Sequence, residues 1–174
     1  MHINKRNFLL AQLALLLAVT TGCSNLHSKS APFDLNDYKS IVTPTGDQAA
    51  LLITSWGAPM TVDYSLESRN KVKELGMVYE SGDKVLLPWI AEFTKKKHEQ
   101  LLGALPSREV LIDANTFTIV KGEAKWGQHG HCGPNFSFFT PTAGRRYLAL
   151  FSFVGRYCKQ DLYDISEGKL VLVN

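Results

Sequence analysis

Cysteine is scarce in this chain: three residues in 174, at positions 23, 132 and 158, with no C-x-x-C pair among them. That removes the paired-thiol redox motif and the commonest structural zinc spacing. There is no G-x-S-x-G elbow, no phosphate-cradling P-loop and no H-E-x-x-H helix, so three widespread catalytic arrangements drop out as well. Charge of one sign is also lacking. The formal net charge is +3, from 19 basic and 16 acidic side chains, without the clustered positive field that a nucleic-acid partner requires. Long apolar runs are missing too. The best, Phe8 to Val19, is interrupted only by Gln12 and spans about 12 residues, whereas a hydrocarbon core of about 30 Å needs about 20.

What is present begins at the N-terminus. Lys5 and Arg6 precede that apolar run, and small residues (Thr20, Thr21, Gly22) follow it directly before Cys23. A basic flank, a short apolar stretch and a small-residue end are the parts of a secretory signal. The stretch "VTTGC" resembles the lipobox of bacterial lipoproteins, in which a small residue directly precedes the cysteine that is lipidated. The resemblance implies removal of residues 1–22, a thioether-linked diacylglycerol on Cys23 and an acylated amino group. One acyl chain holds a protein only marginally, at about 0.8 kcal/mol per buried CH₂, so several chains on one cysteine make a lasting anchor. The first partner implied is thus a membrane, through lipid on Cys23. Ser24 stands where an aspartate would favour retention at the inner membrane, so the resemblance points to the outer membrane with the domain facing the periplasm. Loss of Lys5 and Arg6 lowers the mature charge to near neutrality. Residues 23–35 are polar and read as a lipidated tether, and residues 36–174 as one domain.

Export bears on the run "GQHGHCGPNF", residues 127–136. With Cys23 engaged by lipid, Cys132 and Cys158 are left in an oxidising compartment, where a pair of thiols most often forms a structural disulfide. The surrounding segment then reads as a glycine-rich, solvent-facing loop entering a bridged strand. Two other readings stand beside this one. His129, His131 and Cys132 can contribute to a zinc or copper site if Cys158 or His98 supplies a fourth ligand. Cys132 can act as a nucleophile with His129 or His131 as its base if its thiol is free. No cofactor is called for by the disulfide reading.

Patterning suggests an α+β domain. Residues 45–59, "TGDQAALLITSWGAP", carry capping-box spacing at Thr45 and Gln48, an apolar stripe at Ala49, Leu52, Ile53 and Trp56, and a Gly57/Pro59 stop, which predicts a short helix. "MTVDYSL" alternates strictly and predicts a strand, with Met60, Val62, Tyr64 and Leu66 on the inner side. The turn "ESRN" then leads to a second strand near Leu75–Glu80. Residues 88–102 suit a second helix starting with Pro88 and ending before Gly103, with Lys95–Lys97 on its wet side and His98 near its apolar side. From Arg108 onward the pattern is β, with a hairpin or bend at Asp113–Asn115, strands at "NFSFF", "RRYLALFSFVGRY" and "KLVLV", and a turn at Glu167–Gly168. Phe136, Phe138, Tyr147, Phe151 and Phe153 read as core and cross-strand packing. The expected whole is one or two short helices on a mainly antiparallel sheet or small OB-like barrel.

Two further stretches carry resemblances. Residues 48–82, through Trp56, Gly57, Pro59 and Tyr79, resemble small proteobacterial envelope lipoproteins with a W-G-x-P motif, which implies an accessory role exercised through protein contacts. Residues 131–160, through Cys132, Gly133, Gly144, Arg146, Tyr147, Leu148 and Cys158, are similar to the C-terminal part of netrin-like (TIMP-like) domains, which implies an OB-like barrel with this disulfide. The inhibitory residues of that family lie at a free N-terminal cysteine, so protease inhibition does not carry over. The function expected is a lipid-anchored envelope protein with a non-catalytic binding or accessory role, an envelope protein as partner and no nucleic acid. The rival is a metal-binding protein or a thiol- or metal-dependent enzyme centred on His129, His131 and Cys132.

Overall fold

The computed structural model describes residues 35, 38–56, 61–79, 92, 96, 99–100, 105–126, 130–154 and 157–173, within a compact unit running from Phe33 to Asn174. The signal segment, Cys23, Gly57, Pro59, His98 and His129 lie outside the described residues. Among the described residues the chain forms nine strands: β1 (Gln48–Trp56), β2 (Thr61–Ser68), β3 (Lys71–Tyr79), β4 (Ser107–Asp113), β5 (Thr118–Trp126), β6 (Gly130–Phe139), β7 (Arg146–Val154), β8 (Tyr157–Asp164) and β9 (Val171–Leu172). They sort into a five-stranded sheet in the order β4-β1-β7-β8-β9 and a four-stranded sheet in the order β3-β2-β5-β6. The expected α+β fold is therefore corrected to a mostly β one among the described residues, two sheets in place of helices laid on a sheet or a small barrel.

The main error lies at residues 45–59, where the expected helix is strand β1. The helical stripe was real but incomplete as a description. Ala50 and Leu51 fill the gaps in it, and Ala49 to Ser55 are buried without interruption. A short continuous apolar run fits a strand covered on both faces as well as it fits a buried helix. β1 is such a strand, inside its sheet between an antiparallel β4 and a parallel β7. Thr45 and Gln48 do meet, with Thr45 Oγ1 donating to Gln48 Oε1 at 3.2 Å, but across a turn at Gly46 rather than at a helix start. Of the second expected helix only Glu92, Lys96, Glu99 and Gln100 are described, each with helical backbone; the rest of 88–102 lies outside the described residues.

Other expectations hold. β2 and β3 form a hairpin through Arg69 and Asn70, both left-handed at φ 51° and 59°, as a tight two-residue turn requires. Val62, Tyr64 and Leu66 point inward as the alternation demands. β4 and β5, by contrast, are not a hairpin, because they belong to different sheets and the chain crosses between sheets at residues 114–117. Strand β8 was not anticipated, although Cys158, Gln160 and Leu162 alternate with Tyr157, Lys159 and Asp161.

The core lies between the sheets, built from alternate residues such as Leu51, Ile53, Val62, Val120 and Phe151, all almost fully buried. Each such side chain removed from water contributes about 1.5–3 kcal/mol. Two polar contacts and one covalent bond cross the same interface. Tyr64 of β2 donates its hydroxyl to Thr54 O of β1 at 2.8 Å, with Ala149 O of β7 at 3.3 Å, and burial pushes its pKa far up. Gln160 of β8 donates through Nε2 to Val120 O and Ser137 Oγ, both at 2.9 Å. Cys132 of β6 and Cys158 of β8 form a disulfide with Cα atoms 6.0 Å apart, so the expected bridge is present and ties one sheet to the other. Gly122 leaves room for this arrangement: a Cβ there would sit 2.9 Å from Phe151 Cδ2 and 3.3 Å from Tyr64 Cε1.

Candidate functional site

With its sulfur bonded to Cys158, Cys132 offers neither a thiolate nucleophile nor a thiolate ligand in this form. His131 is exposed on β6 directly opposite Lys125 of β5, a cation where a metal site would want a ligand. The stretch expected as a loop is partly strand. β6 already starts at Gly130, and an extra residue enters opposite Gly122–Ala124, where Gly133 adopts φ +100° and a Cβ would lie 2.9 Å from Gly122 O. Among the described residues no three His, Cys, Asp or Glu side chains gather as a ligand set. The acidic pair in β8 is engaged by cations, Asp161 by Lys159 at 2.7 Å and Asp164 by Arg145 at 3.1 Å.

The two outer faces of the sandwich are more informative. On the five-stranded sheet, Leu52, Leu148, Leu150 and Ile165 point away from the core and form a second apolar cluster. Leu35 and Tyr38, from the segment preceding β1, pack over it with Trp56, Tyr163 and Leu170. This strap is latched by Glu109 of β4, whose side chain is only 2 % exposed. The carboxylate accepts the amides of Ile41 at 2.8 Å and Val42 at 2.9 Å and the hydroxyl of Ser40 at 3.1 Å. Arg146 of β7 approaches the same carboxylate at 3.4 Å and donates through Nη2 to Val42 O. Burial by itself pushes the Glu109 carboxyl up. Hydrogen bonds from Tyr38, Ile41, Val42 and Ser40 outweigh it and hold the group below its ordinary value. Tyr38, buried beside that anion, is pushed up in turn. A carboxylate with this many donors is a fastening.

The outer face of the four-stranded sheet carries different side chains. Phe136 and Phe138 of β6 are 48 % and 56 % exposed, and Phe117, just before β5, is 59 % exposed. Their rings form a near-parallel row. Phe117 and Phe138 are 6.4 Å apart at 16°, and Phe136 and Phe138 are 6.1 Å apart at 24°. Phe138 lies opposite Ile119, and Phe136 opposite Lys121. Lys121 and Lys125 flank the row, both paired with Glu123 at 3.3 and 3.4 Å. The carboxyl of Glu123 is held low by those lysines against the opposing effect of burial. Single exposed apolar residues are ordinary, but a contiguous row along an edge strand is the mark of an interaction surface.

The sequence reading placed Phe136 and Phe138 in the core, and this is corrected. Tyr147 and Phe151 are buried, whereas Ser137 and Phe139 take the inward positions of β6 and turn the two phenylalanines outward. The signal was available in the F-S-F-F order. A period of two allows only one register to bury Phe139, which packs edge-on against Tyr147 at 4.9 Å, and that register exposes its neighbours. Neither models of known protein families nor curated proteins match this chain.

Proposed function

We propose that this chain is a lipid-anchored bacterial envelope protein, held at the outer membrane through Cys23, whose periplasmic domain acts by binding protein through the phenylalanine row of its four-stranded sheet. The observation that carries the binding role is that row: three half-exposed aromatic side chains stacked in sequence, two on the edge strand β6 and Phe117 beside them at the start of β5. Such a surface stays in water at a cost unless something covers it. The anchoring part of the reading is supported by the signal-like segment ending in Gly22-Cys23. A disulfide between the other two cysteines suits an oxidising compartment.

Two measurements on the full chain in cells test the reading. The mature protein should lack residues 1–22 and carry acyl mass on Cys23, and Cys23→Ala should release it from the membrane fraction. An unprocessed, lipid-free protein contradicts the anchoring. A photo-crosslinking side chain at Phe138 should give protein adducts, and one at exposed Lys169 should not. Equal labelling from both positions, or none from Phe138, contradicts binding through the row.

A further inference from the structure

The four sheet edges are unequally protected. β9 is two residues long and pairs only with Tyr163 and Asp164, so the rest of that edge is the first part of β8, which carries charged Lys159 and Asp161. β3 is bridged by Leu105, which exchanges backbone hydrogen bonds with Tyr79 and Met77, and its far half carries Lys71, Lys73 and Glu74. β4 holds charged Arg108 and Glu109, the second fastened to the strap. Short length, charge, bulges and covering segments are the ways in which natural sheets keep their edges from pairing. On β6 the bulge with Gly133 and Pro134 guards only the first half. The second half, Asn135 to Phe139, is "NFSFF", with no charge, proline or bulge and with strong strand formers.

We infer that the occupant of this edge is a second copy of the same chain, paired antiparallel through β6 about a twofold axis at Ser137. This rests on the reading of the phenylalanine row as a binding surface and names its partner. The stretch Phe136-Ser137-Phe138 is the same read in either direction. An antiparallel pair centred on Ser137 therefore sets Phe136 of each copy opposite Phe138 of the other, with Cβ atoms about 4.5–5.5 Å apart. The two rows of three rings then lie side by side across the seam as one patch of six, with the Phe117 rings at its outer corners. Isologous contacts of this kind are the commonest way a chain meets itself. The rim fits as well, because Lys121, Lys125 and Glu123 offer both signs of charge and suit a neutral copy better than a strongly charged partner.

The position of the tether favours this geometry over a face-to-face one. A twofold axis relating antiparallel strands of one sheet stands perpendicular to that sheet. It keeps the outer faces of both five-stranded sheets on the same side of the dimer. Leu35, the first of the described residues, lies on that face and packs with Tyr38 against the cluster of Leu52, Leu148, Leu150 and Ile165. Both tethers then start on one side, as two copies anchored in one bilayer require. Stacking the phenylalanine faces against each other would instead put the two straps on opposite sides of four layers, at least roughly 30 Å apart.

The test uses the full lipidated chain in its membrane, with a photo-crosslinking side chain at Phe138. The expected product has twice the chain mass, with the crosslink falling in residues 135–139 of the second copy. Phe136→Glu should reduce it about tenfold or more, by placing a carboxylate opposite the probe, while the Cys132–Cys158 bridge still forms. A product of twice the mass joined outside β6 overturns the axis at Ser137. Adducts of other masses only would overturn the second copy and leave the binding surface standing. No adduct at all would overturn both.

Discussion

Two faces of one sandwich, each with apolar side chains pointing away from the core, have opposite fates. On the five-stranded sheet the outward Leu52, Leu148 and Leu150 are buried, because a strap from the same chain covers them and Glu109 fastens it. On the four-stranded sheet the outward Phe117, Phe136 and Phe138 are left half in water. The first face belongs to stability and the second is available for association. The difference turns on one buried carboxylate with fixed donors, because an apolar cover without a polar fastening has little to set its register.

Breaking the latch should have the largest effect on that contrast. Glu109→Ala leaves the Ile41 and Val42 amides without their acceptor and removes the anion beside Arg146, which should cost about 3–5 kcal/mol in urea unfolding and expose the Leu52–Leu148 cluster to a hydrophobic dye. A loss below about 1 kcal/mol would mean that the strap holds by apolar contact alone. Acid probes the same group. A carboxyl held low in the folded state contributes stability that is complete above the ordinary carboxylate range and is lost as the pH falls through that range toward the folded value. The parent should therefore lose stability in acid more steeply than Glu109→Ala. The slope that survives in the variant includes Glu123, whose carboxyl is also held low, beside Lys121 and Lys125.

The tie between the sheets comes next. Replacing both Cys132 and Cys158 with serine opens a loop with sequence separation 26, and the chain-entropy relation gives a loss of about 3–4 kcal/mol, measured by the shift in urea midpoint. An unchanged midpoint would mean that Tyr64 and Gln160 suffice to hold the sheets together. A smaller effect is expected inside the sandwich. Gly122→Ala forces a methyl group against Phe151 and Tyr64 and should cost about 1–3 kcal/mol by thermal unfolding. A neutral result would show that Phe151 and Tyr64, and not only the flexible Gln160, give way to the added methyl.

How far the sequence carried the fold depended on whether a segment offered a clear period or a strand-like composition. β2 was legible through the alternation of Val62, Tyr64 and Leu66, and β7, though buried on both faces, through its aromatic residues Tyr147, Phe151 and Phe153. β1 was not, because burial on both sides erases the period of two, and the apolar residues left over from a strand also fit a helix. β8 was missed because its inward positions are Cys158, Gln160 and Leu162, with a polar residue in the middle of the inward row. The disulfide was legible from cysteine count and inferred compartment. The latch was not: Glu109 sits in "SREVLID" like any solvated acid, and the donors that bury it come from residues nearly 70 positions away. The phenylalanine row was visible as composition but assigned to the wrong side of the strand.

The most direct test of the two-face contrast is urea unfolding, in dilute solution, of the chain with Phe136→Ser and Phe138→Ser together. Side chains already half in water should unfold within about 1 kcal/mol of the parent, since surface changes seldom exceed about 0.5 kcal/mol each. A loss of about 3 kcal/mol or more, the cost of truncating a core aromatic, would place these rings in the core and contradict the open face.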